Sequence, residues 1–80
     1  MAHIELTRIP LHARRTAANR PDTSPHVLEL LSADPDAGVR YKVASHPATP
    51  LESLQRLALD AVNSVASRAR IAALAKRMAG

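Results

Sequence analysis

The side chains of this 80-residue chain best suited to chemistry are four histidines, His3, His12, His26 and His46. A metal site on a helix needs two of them at i, i+3 or i, i+4, with carboxylates close by. None of the four is so spaced, and each reads as a surface or cap-adjacent residue. The chain has no Cys, which removes thiolate ligands, a thiol nucleophile and a disulfide framework together. Glycine occurs only at Gly38 and Gly80, too sparsely for a phosphate-cradling loop. Ser and Asp stand mainly where helix starts need caps. The pattern argues against an enzyme and implies no metal, no cofactor and no small-molecule substrate.

The cations are more informative. Eleven Lys and Arg against seven Asp and Glu give a net charge of +4. That excess suits an acidic partner, and equally an Arg- and Ala-rich proteome. Arg14-Arg15, Arg40 with Lys42, and Arg68 with Arg70 recur along the chain. If the segments carrying them stack, Arg15, Lys42, Arg68 and Arg70 line up as a basic stripe able to follow a phosphate backbone. Tyr41 is the sole aromatic residue, so base stacking on single strands has little to work with. A second candidate surface lies near the C-terminus, where Ile71, Leu74, Ala75 and Met78 share one side, with Lys76 and Arg77 at the rim. Either this side folds back onto a preceding Leu-rich helix, or it stands exposed as a homodimer contact or partner-binding site.

The elements that must carry these residues repeat. At an offset of 26, Arg14 falls on Arg40, Ala18 on Ala44, Pro21 on Pro47, Thr23 on Thr49, Leu28 on Leu54, Leu31 on Leu57 and Asp34 on Asp60. The matches fall on punctuation and apolar positions, where a structural repeat demands them. One domain, 1–80, then divides into units 13–38 and 39–64, a partial unit 65–80, and an N-terminal half-unit 1–12. With so few aromatics the core must be Leu, Val, Ile and Ala, which suits packed helices. Thr49 is expected to N-cap a helix opened by Pro50, with Glu52 completing a capping box and Leu51, Leu54, Leu57 and Leu59 on its apolar side. Thr23 or Ser24 caps its twin, with Val27, Leu28, Leu30 and Leu31 inside. Asp34 is expected to cap a second helix that opens at Pro35 and buries Val39 and Val43. Thr7 is a candidate cap for a helix over 10–18, and a long helix is expected from about Ala61 to near Met78. No apolar run is long enough to span a membrane, no signal-peptide pattern opens the chain, and a cytoplasmic location is expected.

The stretch "NRPDTSPHVLELLSADPDAGVRYKVASHPATPLESLQRLALD", residues 19–60, resembles the leucine-rich repeat variant family, near the HEAT-like repeats. The features are N-x-P-x-T-x-P before a Leu-rich helix, then A-D-P-D-x-x-V-R-x-x-V-A. The resemblance implies an all-α, short right-handed helical-repeat solenoid of about two and a half helix-pair units that binds partners without catalysis. It also implies that Asp34 pairs with an Arg of a neighbouring unit, which matches the placing of Arg14 and Arg40. In the second copy Ala61-Val62 replaces Pro35-Asp36 and Ala66 replaces Arg40, a departure that bears on the break between helices there. At least three units normally make a stable array, so self-association would also answer the stability of so short a chain.

Overall fold

Proline and short polar side chains cut this chain into helices. The structure, a computed structural model, describes residues 6–79. A 3-10 turn at Leu6–Arg8 leads into α1 (Leu11–Asn19), α2 (Pro25–Leu31), α3 (Ala37–Ser45), α4 (Leu51–Leu57) and α5 (Asn63–Ala79). The fold is all-α, with no strand among the described residues. Helix α3 packs between α1 and α5 to make one row, while α2 packs on α1 and α3, and α4 on α3 and α5. Helices this short are marginal alone, so their stability comes from packing.

The repeat is visible in what is buried. Leu28 and Leu54, Leu31 and Leu57, Ala18 and Ala44, Val39 and Val65, and Val43 and Ala69 are all buried, and each pair is separated by one repeat. A fully buried Leu or Val contributes about 1.5–3 kcal/mol relative to exposure. These equivalent positions make up nearly all of the core.

The polar contacts repeat at the same spacing. Arg14 Nε donates to Asp34 Oδ2 at 2.7 Å, and Arg40 Nε to Asp60 Oδ2 at 2.7 Å. Arg14 Nη1 donates to the carbonyls of Leu6 and Ile9, and Arg40 Nη1 to those of Asp34 and Pro35. Asp34 Oδ1 accepts the Asp36 N–H, and Asp60 Oδ1 the Val62 N–H, both at 2.9 Å. Each Arg thus clasps the carboxylate that stands just past the next helix. The Arg40 hydrogen bond holds the Asp60 carboxyl below the usual carboxylate range, with partial burial opposing and the Val62 N–H adding to it. The same bond raises Arg40.

Several expected caps are corrected. Thr49 does not cap α4: its hydroxyl donates to the Val43 carbonyl at 2.6 Å, satisfying the open C-terminal end of α3. Thr23 does the same for Ala17 at the end of α1. Helix α4 starts after Pro50 with no side-chain cap, so Glu52 closes no capping box. Ser24 caps α2 through the Val27 N–H, as one of the two expected residues. Asp34 does not cap α3, because Arg14 and the Asp36 N–H occupy its oxygens. Asp36 is the cap, accepting the Val39 N–H at 2.9 Å, and α3 opens at Ala37 rather than Pro35. Helix α1 follows Pro10 without a side-chain cap, and Thr7 lies within the 3-10 turn. Leu59 is 85% exposed, since α4 ends at Leu57 and the turn carries it outward. The break before α5 survives the loss of proline. Helix α5 opens at Asn63, one repeat after Ala37, because Asp60 still holds the Val62 N–H.

Candidate partner-binding surface

Charge is segregated by helix. The row-forming helices read LHARRTAAN (α1), AGVRYKVAS (α3) and NSVASRARIAALAKRMA (α5), with no Asp or Glu in any of them. The described carboxylates belong to α2, α4 and the turns. The turn carboxylates Asp34 and Asp60 neutralise Arg14 and Arg40, so these two cations are structural. Lys42, Arg68, Arg70, Lys76 and Arg77 make no ion pair among the described residues.

The expected stripe is present in part. Lys42 and Arg68, one repeat apart, occupy equivalent places on α3 and α5. Arg15 and Lys42 line one depression across α1 and α3, and Arg68 and Lys76 line another between the end of α3 and α5. Lys42, Ser45, His46 and Pro47 line the surface between them. Arg15 is not fully available, because its Nε stands 3.8 Å from Asp36 Oδ2. Arg68 Nε donates to Ser45 Oγ, and Lys76 Nζ to the Pro47 carbonyl, each at 3.1 Å. Arg70 falls one repeat after Ala44 and two repeats after Ala18. Those two alanines are buried, whereas Arg70 is exposed on the last described helix of the row.

Helix α5 buries Val65, Ala66 and Ala69 and turns its other side outward. Ile71, Leu74 and Met78 are 60%, 59% and 78% exposed, so this side does not fold back onto α4. Ala75 is exposed with them, and Arg77 is exposed beside them. At i, i+3, i+4 and i+7 the four apolar residues form one continuous strip.

Of the histidines, His12 and His26 are exposed, and His3 lies outside the described residues. His46 corrects its surface reading. It is 7% exposed; its Nδ1 accepts the Ala48 N–H at 3.0 Å, so Nε2 carries the proton and donates to the Arg20 carbonyl at 2.7 Å. It pins the turn after α3 to the turn after α1. The signal available for it was its place one repeat after Arg20, directly before the repeated proline.

Among the described residues no three His, Asp or Glu side chains gather as metal ligands, and no helix is long and apolar enough to cross a membrane. What the arrangement offers is a surface, with cations and an apolar strip on the same helix.

Residues 11–36 match the model of a family described as leucine rich repeat variant. The match runs from the start of α1 through α2 to Asp36, and takes in the Arg14–Asp34 clasp. No curated protein and no solved structure matches the chain. The match supports a repeat-based interaction module and bears out the resemblance to the leucine-rich repeat variant family over residues 11–36, a stretch whose polar clasp recurs in the following repeat.

Proposed function

We propose that this chain is a non-catalytic protein-interaction module, an adaptor or inhibitor, whose partner-binding residues are Ile71, Leu74 and Met78 with Lys76 and Arg77 beside them. The observation that carries this reading is the exposure of three large apolar side chains along one side of α5. Single exposed apolar residues are ordinary, but a contiguous strip on a small protein is what a partner covers. The pair of substitutions Leu74→Asp and Met78→Asp tests it. Both positions are exposed, so helix content should hold while capture of a partner protein from native lysate is lost. Capture unchanged by the pair overturns the reading. Sedimentation at several concentrations shows whether that partner is a second copy.

A second reading, nucleic-acid binding, is favoured by the absence of carboxylates from α1, α3 and α5. On that reading Arg15, Lys42, Arg68 and Arg70 contact phosphates. Replacing Lys42 or Arg68 by Gln would then reduce the salt dependence of duplex binding by about one ion each.

A further inference from the structure

We infer that the partner of α5 is an acidic amphipathic helix, its apolar seam on Ile71, Leu74 and Met78 and its carboxylates on the cations either side. The inference rests on the protein-interaction reading of α5 and adds the partner's chemistry. Helix α5 carries Arg68, Arg70, Lys76 and Arg77 and no Asp or Glu. Arg70 and Arg77 are about two turns apart and each stands next in sequence to a strip residue, which puts them along one edge. Arg68 stands along the other edge, and Lys76, further round the helix, joins it in lining a groove with Ala72, Ala75 and Pro47. Their hydrogen bonds go to a hydroxyl and a carbonyl, so their charge remains unneutralised.

The other occupants each leave something unmatched. A second copy packing α5 on α5 would bring four cations against four, with no carboxylate on either helix. A nucleic acid would satisfy the cations but leave Ile71, Leu74 and Met78 uncovered. An anionic bilayer offers both charge and an apolar phase, but three large apolar side chains give it little area to insert. An acidic helix satisfies both features at once. Its seam packs on the strip as helix on helix, and its flanking carboxylates meet the cations as charges beside a coiled-coil seam do.

The test uses the full chain and three labelled helical peptides of about 18 residues, long enough to hold helix. One has a Leu seam and Glu elsewhere, the second has the same seam with Lys, and the third scrambles the seam of the first. Vesicles of mixed phosphatidylserine and phosphatidylcholine and a DNA duplex complete the set. The acidic seam peptide should bind at least about tenfold more tightly than either other peptide. The pair Arg70→Glu and Arg77→Glu should reverse the preference towards the Lys peptide, and Leu74→Ser should weaken binding without reversing it. Circular dichroism confirms that these exposed substitutions leave the helices intact. The inference is overturned if the acidic seam peptide fails to bind, if the scrambled peptide binds as well, or if charge reversal leaves the preference unmoved. Tighter binding to vesicles or duplex, or dimerisation abolished by Leu74→Ser, overturns it too. If the peptide fails while Leu74→Asp with Met78→Asp still abolishes capture from lysate, the protein-interaction reading stands and only the acidic partner falls.

Discussion

Replacing Arg14 by Met should be among the most damaging single substitutions in this chain, although Met keeps an unbranched apolar stem like that of Arg. The Arg14 and Asp34 side chains are 9% and 0% exposed, and their closest contact is 2.7 Å. At an effective dielectric near 20, that contact is worth about 6 kcal/mol of gross attraction. Removing both ions from water costs several kcal/mol each, so the intact pair nets little. Breaking it is another matter, because the Asp34 carboxylate then stays buried with only the Asp36 N–H to support it. The expected loss is about 3–5 kcal/mol, from a total of about 4–12 kcal/mol for a domain of this size. Asp34→Asn keeps an acceptor for that N–H, so combining it with Arg14→Met should recover part of the loss. Arg20→Met is the control, since the Arg20–Asp22 pair is 62% and 69% exposed and solvent screens it, so its loss should scarcely move the unfolding curve. Urea unfolding followed by circular dichroism gives all the values. If Arg14→Met cost no more than Arg20→Met, or the double variant no less than the single, the clasp would not hold the two ends of its unit together.

Leu54→Ala should cost about 2–5 kcal/mol in the same assay, whereas Leu59→Ala, at an 85% exposed position, should be close to neutral. Asp36→Ala should cost about 0.5–2 kcal/mol through loss of the α3 cap, and Glu52→Gln should be within experimental scatter because Glu52 caps nothing. The lowered Asp60 carboxyl sets a pH dependence. Between its folded value and the ordinary carboxylate value of about 4, the unfolded chain binds more protons, so stability rises with pH there. Its contribution should be complete above that window and vanish as pH falls through the folded value, and Asp60→Asn should flatten this part of an acid titration of unfolding.

The repeat spacing and the apolar equivalents were legible because burial selects residue type at each repeat. Leu28 and Leu54 could be paired from identity alone. The roles of the small polar residues were not legible in this way. Thr49 and Asp34 precede proline as caps do, and local sequence cannot tell a hydroxyl that opens the next helix from one that closes the last. Asp34 is claimed by the guanidinium of Arg14, back in α1, and that tertiary contact passes the capping role to Asp36. The break before Asn63 was hidden for the same reason: the usual signal, proline, is gone, while the Arg40–Asp60 clasp that enforces it is long-range in sequence. On the candidate surface, the apolar side of α5 was readable from helical periodicity. Its exposure was not, because periodicity locates a strip without saying what covers it.

The clasps have a consequence for how the chain acquires its structure. Each Arg–Asp bond closes over 20 residues, the His46 bond over 26, and the Lys76–Pro47 bond over 29. Side-chain bonding therefore spans little more than one repeat, and the loop-closure entropy paid at any step is small. Bonding confined to about one repeat lets the units form in succession rather than all at once. On a ribosome the Arg14–Asp34 loop can close before Asp60 has left the exit tunnel, so the first clasp offers a formed surface on which the next helix pair settles. Synthesis and folding then proceed in the same direction, and each repeat acts as the template for the one that follows.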